Sequence, residues 1–426
     1  MIAMATSHPA SRRTSAGSGG PTGGSAERAL LVGVAFSVLV TVAIWALGPR
    51  LAAIPLLPDA GPSWYEWKLP NPTLWTRALV WGLYLAHQAT LWGLIWWAQA
   101  RRPGYGSGLH RLNVLALLAN AGFVLLHVVQ THVSYDGLAQ DVSIWSSQGA
   151  VIVMLVWILL IENPRRGLVF GAKVPMGSEL KRFVRRYHGY FFAWAIVYTF
   201  WYHPAVSTTG HLWGFFYTML LLVQSSLFFT RAHLNRYWTF VLEATVLVHG
   251  ALVAVGQGGG LWPMFAFGFG GLIVMTQMHG LGLSRWTRAA IVAVYAALVT
   301  WVYAGRGWSR IDEVVRIPLI EILAALLLAG LFALAFAVAR RLPPVGRAAS
   351  RPAHAGPVGE LVDEPAAAAP VGVVPFLAVM TVGYAAMVAV FMVTSSPITA
   401  FAVLAVGAPI LTAVAWRWVA SPAKLV

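Results

Sequence analysis

The sequence predicts an all-α, polytopic membrane bundle of about twelve transmembrane helices, and three observations carry that prediction. Apolar runs of about twenty residues recur along the chain, the length a helix needs to cross a hydrocarbon core ~30 Å thick. Only 10% of the 426 residues are charged, against about 25% in soluble domains, and 58% are hydrophobic, with a mean hydropathy of +0.70. The Lys and Arg residues also alternate between successive loops, as a single threading of a membrane requires.

Residues 1–28 are rich in Ser, Gly and Thr without apolar periodicity and read as a disordered cytoplasmic tail. The first span, at 29–48, is too long for a signal-peptide core and is expected to be retained as an anchor. Further spans are expected at 74–98, 112–133, 143–161, 187–204, 211–230, 237–256, 262–283, 289–304, 316–339, 373–394 and 397–416. Pro49, Pro70, Pro72, Pro103, Pro164, Pro204, Gly256–Gly260, Gly305–Gly307, Pro343, Pro344 and Pro397 punctuate them.

With both termini inside, 23 of the 29 Lys and Arg residues fall on the cytoplasmic side. The other 6 (Arg50, Lys68, Arg77, Arg306, Arg310 and Arg316) fall outside. The net charge of +15, which in a soluble chain would point to nucleic acid, is thus accounted for by loop retention, and no nucleic-acid partner is expected. The absence of cysteine excludes disulfides, thiolate catalysis and Cys-ligated clusters. The excess of Arg over Lys, with abundant Ala and Gly, fits a bacterial plasma membrane.

Two long connections, 162–186 and 340–372, divide the chain into an N-terminal four-helix segment (29–161), a central six-helix module (187–339) and a C-terminal two-helix segment (373–426). The second connection is rich in Pro, Ala and acidic residues and reads as a flexible cytoplasmic linker.

Ionisable residues at membrane depth are costly and point to function. At the outer level the sequence places His127, Gln130, His132, Asp136, Asp141, His203, His211 and His249, and at the inner level His110, His188, Gln224, His233, Glu243, Gln277 and His279. His87 is deep in the second helix and Glu321 in the outer part of the tenth. A lone interfacial histidine is more often a boundary residue than a ligand, and Glu243 serves equally well as a hydrogen bond between helices.

One pattern stands above this background. Helix five carries His188 and His203 and helix seven carries His233 and His249, each pair spanning the bilayer. Four imidazoles so placed can bracket one planar cofactor near each face, and the arrangement resembles that of diheme b-type cytochromes over helices five to eight. Glycines follow three of the histidines (Gly189, Gly250, Gly280), leaving room for a porphyrin, and Arg185 and Arg186 can meet propionates at the inner face. Helical phase weighs against strict symmetry. On a regular helix His188 and His203 lie about 60° apart, but His233 and His249 about 160°. His279 therefore stands as the replacement for His233 at the inner level.

The leading expectation is a membrane-embedded oxidoreductase that binds b-type heme through His188, His203, His249 and His279, with Arg185 and Arg186. It would exchange electrons with a quinone or other lipid-soluble partner, with His249 and Glu243 as catalytic groups. Two other classes compete. A proton-coupled transporter would use Glu243, His249 and Gln277 as a relay, with Gly256–Gly260 as a broken-helix element. A non-heme lipid-modifying enzyme, an acyl or prenyl transferase or a metal-dependent one, would use the outer histidines, with His127, His132 and Asp136 as ligands of a divalent metal.

Overall fold

The computed structural model describes residues 24–341, apart from 59, 61–64, 66 and 102, together with three isolated positions further on. The expected tail up to residue 23, the linker after residue 341 and the last two expected spans lie outside the described residues.

The described chain is all-α, a helical membrane bundle. Its ten α-helices are α1 (Ser25–Leu47), α2 (Leu74–Arg101), α3 (Arg111–Ser134), α4 (Ile144–Arg166), α5 (Ser178–Tyr202), α6 (Thr209–Ser226), α7 (Arg236–Gly256), α8 (Trp262–Met275), α9 (Arg285–Arg306) and α10 (Glu313–Arg341). They correspond one to one with the first ten apolar runs. Seven of them, α1–α4, α7, α9 and α10, are long and apolar enough to cross a membrane. Two of the other three differ for visible reasons: α8 has only 14 residues, and α5 opens on a basic stretch and buries 13 of its 25 residues against other helices, so it needs little apolar surface of its own.

Helix ends follow local chemistry. Asn235, Ser143, Thr208 and Ser284 cap α7, α4, α6 and α9 by accepting from backbone N–H groups of the first turn. Pro204 forces His203 into extended backbone (φ −101°, ψ 143°) and so ends α5 at Tyr202. Several boundaries depart from the apolar runs, three of them at the elements that carry or adjoin the candidate histidines. α5 begins at Ser178 rather than 187, α6 stops at Ser226 rather than 230, and α8 stops at Met275 rather than 283. Hydropathy marks where hydrocarbon ends, but a helix continues into polar sequence until a cap or turn stops it; for α5 that point is Gly177.

The connections gather at two ends of the bundle. The basic end collects the start of α1 against Ser107, the 105–107 segment against 229–231, and Arg165 against Gly280. The opposite end collects Arg77 against Asp136 and Asp141, and Tyr65 against His203.

Six helices close a ring: α4 packs on α5, α5 on α6, α6 on α7, α7 on α8, α8 on α10, and α10 on α4. α1 packs on α6, α2 on α5, α3 on α2 and α6, and α9 on α8. The 162–186 connection therefore divides the chain but not the packing, because α1, α2 and α4 share one apolar core with α5, α6 and α10. In the ring α5 and α7 are separated by α6 on one side and by α4, α10 and α8 on the other.

Candidate functional site

The two levels of histidine are built differently. At the basic end, His188 lies in α5 and directs Nδ1 to its own helix at the carbonyl of Arg185, 2.8 Å away. His233 lies in the turn between α6 and α7 and directs Nδ1 to the carbonyl of Gln224 at 2.9 Å. A carbonyl oxygen only accepts, so both rings carry their proton on Nδ1 and leave Nε2 as a lone-pair nitrogen. No hydrogen bond is made to either Nε2 among the described residues. Both rings are half-buried, and each lies within electrostatic reach of the other.

The turn that carries His233 is tightly specified. Asn113 of α3 donates to the carbonyls of Ser226 and Phe228. Phe229 takes a left-handed backbone (φ 58°), and Gly106 and Arg231 exchange main-chain hydrogen bonds across 105–107 and 229–231. The Gln224 side chain donates to the carbonyl of His233 and accepts from Trp238 Nε1. Because α7 begins only at Arg236, His233 and His249 do not share a regular helix. The helical-phase objection to pairing them with His188 and His203 therefore falls away.

At the opposite end four elements bring four imidazoles together: His127 from α3, His203 from the end of α5, His211 from α6 and His249 from α7. His211 Nε2 lies 3.2 Å from His203 Nδ1, Thr208 Oγ1 lies 2.7 Å from His211 Nδ1, and the Tyr65 hydroxyl lies 3.0 Å from His203 Nδ1. His127 Nε2 donates to the carbonyl of His203 at 2.9 Å, its ring packed among Phe200, Trp201 and Phe215. Trp67 closes edge-on over His211, with ring centroids 4.3 Å apart. His249 is within electrostatic reach of His203 and His211, and its ring lies flat against α6 where Gly214 has no side chain. A Cβ there would come within 3.1 Å of His249 Cε1. Neither ring nitrogen of His249 has a hydrogen bond among the described residues.

Several expectations need correction. His279 does not join His188: it sits on the short turn after α8, its Nδ1 accepting from Arg288 at 3.2 Å and packed against Gly171. The histidine within electrostatic reach of His188 is His233. Two of the glycines after the histidines, Gly250 and Gly280, make room for side chains of neighbouring helices rather than for a cofactor, while Gly189 leaves only ordinary contact distance to its neighbour. A Cβ on Gly189 would meet Ile95 of α2, one on Gly250 would meet Phe269 of α8, and one on Gly280 would meet Arg165. Arg185 and Arg186 are exposed, Arg186 lying over the Tyr187 ring and Arg185 beside Leu160 and Pro164.

The metal set is not assembled. Asp136 is bound by Arg77 and by the Gly137 amide, while His132 turns back to the carbonyl of Val128 in its own helix. Among the described residues no group of three His, Asp or Glu side chains has the geometry to hold a metal ion. Glu243 is likewise engaged: both carboxylate oxygens accept from Arg166 Nη1, at 2.9 and 2.7 Å, in a buried ion pair joining α7 to α4. This is the structural role that sequence left open for it, and it removes Glu243 as a free proton carrier. Gln277 shares the turn of His279 and joins neither histidine pair.

Two constellations escaped the sequence reading. Trp201 Nε1 donates to His87 Nδ1 at 3.1 Å, so His87 Nε2 carries the proton and donates to Asn120 Oδ1 at 2.7 Å. Asn120 Nδ2 in turn donates to Ser226 Oγ at 2.8 Å. This buried chain joins α5, α2, α3 and α6. The second is Arg77, which binds Asp136 and Asp141 together, with Trp81 Nε1 also donating to Asp141 at 2.6 Å. The isolated Asn and Arg residues carried the signal, but nothing in their spacing names their partners.

Comparison of the chain with protein-family models, with curated proteins and with solved structures finds no match.

Proposed function

We propose that this chain is a membrane-embedded oxidoreductase that binds two b-type hemes inside the six-helix ring, one between His188 and His233 at the basic end and one between His203 and His249 at the opposite end. The observation that carries the reading is the state of His188 and His233. Histidines that ligate iron or other metals typically donate their other ring N–H to a carbonyl or similar acceptor, which fixes the tautomer and frees the second nitrogen. Both rings are held that way, from two elements on either side of α6, with nothing on Nε2.

At the opposite end His203 has its Nδ1 held by His211 and Tyr65, and Gly214 gives His249 its place against α6. Bound there, the hemes would supply one-electron transfer across the bilayer. The protein's own part is to hold four imidazoles at two depths and to enclose them in aromatic and aliphatic side chains, in exchange with a quinone or other lipid-soluble partner. With this reading go twelve spans, both termini on the cytoplasmic side of a bacterial plasma membrane, and the basic end facing the cytoplasm, as the loop charges require.

The test is an oxidised-minus-reduced absorption spectrum of the protein purified after expression with heme supplied. A Soret band and two resolvable redox transitions are expected. His188→Ala or His233→Ala removes one transition, and His203→Ala or His249→Ala the other. A protein with no Soret band overturns the reading.

A further inference from the structure

Two glutamates lie at membrane depth inside the ring, Glu243 of α7 and Glu321 of α10, and only the first has a partner. Glu321 stands about 12 Å along the helix axis from Glu313, at ~1.5 Å per residue, and is 4% exposed. Its Oε2 is buried with no hydrogen-bond partner, and no ion pair reaches the carboxyl among the described residues.

Local packing explains the enclosure. Val314, Ile317, Pro318 and Glu321 share one face of α10 by their i, i+3, i+4, i+7 spacing. That face closes on α8 where α8 is glycine: a Cβ on Gly268 would come within 2.8 Å of Ile317, and one on Gly271 within 3.0 Å of Pro318. Further along, Ala325, Leu328 and Phe332 are buried in the main core, with Phe332 edge-on to Trp157 of α4.

The walls offer the carboxyl no charge. α8 carries no ionisable residue, and those of α4 (Glu162, Arg165 and Arg166) stand at its basic end. α5, which meets α10 through Phe183, brings Tyr190, Tyr198 and Tyr202 to its outer half, all neutral at physiological pH. On α10 itself Glu313 is bound by Arg306 and Arg316 by Asp312. The sequences 373–394 and 397–416 hold no Lys, Arg, His, Asp or Glu.

An ionised carboxylate enclosed without a cation or a donor is the costliest state of this group, whereas the carboxylic acid is neutral and meets the same walls at far lower cost. A structural role looks different: Glu243 spends both oxygens on Arg166. No group of His, Asp and Glu side chains with metal-holding geometry includes Glu321 among the described residues. What a carboxyl adds here over a neutral amide is a proton that can leave and return.

We infer that Glu321 is a proton-binding site of the membrane interior, a carboxyl that holds its proton in the resting protein and exchanges it reversibly with water, whatever the histidine pairs hold. Its two states are the carboxylic acid and the carboxylate plus a released proton, so no further reactant enters.

The test uses the full chain in phosphatidylcholine nanodiscs, treated with dicyclohexylcarbodiimide. A protonated carboxyl adds across a C=N bond of this lipid-soluble reagent, and every atom is retained in the resulting N-acylurea. Peptide mass spectrometry is expected to find the adduct on Glu321 and not on Glu162, Glu243 or Glu313, each held by an arginine. Labelling should fall about tenfold per pH unit once the proton is lost. The infrared difference between wild type and Glu321→Gln should show a carboxylic-acid C=O band that shifts in heavy water and disappears reversibly at alkaline pH. Absence of the adduct or of the band overturns the inference, as does a band that no pH moves before the protein unfolds. Protection from the reagent by sodium at constant pH would make the occupant a metal cation and overturn it too. Labelling of the wild type needs no variant, so it decides the matter even where Glu321→Gln fails to fold.

Discussion

At the basic end His188 and His233 are each tied to a main-chain carbonyl, whereas at the opposite end His203 and His211 are tied to each other. A carbonyl fixes one proton arrangement. An imidazole–imidazole contact flanked by the hydroxyls of Thr208 and Tyr65 allows two, since every member of that chain can both donate and accept. One end therefore presents a single, stiff pair of lone-pair nitrogens, whereas at the other no carbonyl decides whether His203 Nδ1 donates or accepts. The ion pairs differ in the same sense. Arg166 serves one carboxylate and keeps donors in reserve, while Arg77 is shared by two.

The largest expected effect is at the basic end. Arg166→Leu strands the buried carboxylate of Glu243 and should lower the unfolding free energy by about 3–5 kcal/mol, and the double change with Glu243→Leu should recover most of it. Chemical denaturation in detergent measures both, and a double variant no better than the single one would break the claim that this pair is structural. At the opposite end Arg77→Ala should cost about 3 kcal/mol, because Asp136 is fully enclosed there.

That site also has a pH signature. Burial pushes the Asp136 carboxyl above its ordinary value, and Arg77 draws it back only in part. A carboxyl that ionises less readily folded than unfolded contributes most stability at acid pH, below its ordinary pKa, and that contribution fades as pH rises through the folded value. Wild type should lose stability over that window and Asp136→Asn should not, as melting curves across pH will show.

Between the two ends, Asn120→Leu leaves His87 Nε2–H without its acceptor and should cost about 1–3 kcal/mol. The smallest change, Tyr65→Phe, removes one hydroxyl from the outer chain and should cost about 0.5–1.5 kcal/mol. It sharpens the comparison best: it should shift the spectrum of a group bound at His203 and leave one bound at His188 untouched. A shift at both would mean that the two levels are coupled.

Much of this architecture is legible in the chain. The ten described helices, the capping Asn235 and Ser143, the break at Pro204 and the two depths of histidine all follow from neighbours in sequence. Sequence spacing makes 233–249 one helix, whereas α7 begins only at Arg236. The turn at 227–235 is dictated by Asn113, more than a hundred residues earlier, and by a left-handed Phe229. Spacing alone favours His279 over His233 as the inner partner because it carries no sign of that turn.

The sequence by itself determined that apolar runs become helices in a membrane-type bundle and which residues sit at each depth, because hydropathy, periodicity and capping act over a few residues. Only the tertiary structure decided which histidines meet, that Glu243 belongs to Arg166 and Asp136 to Arg77, and that Gly250 serves helix packing. The helices rotate and pair to satisfy polar groups that have no water to turn to, and that choice depends on the whole bundle at once.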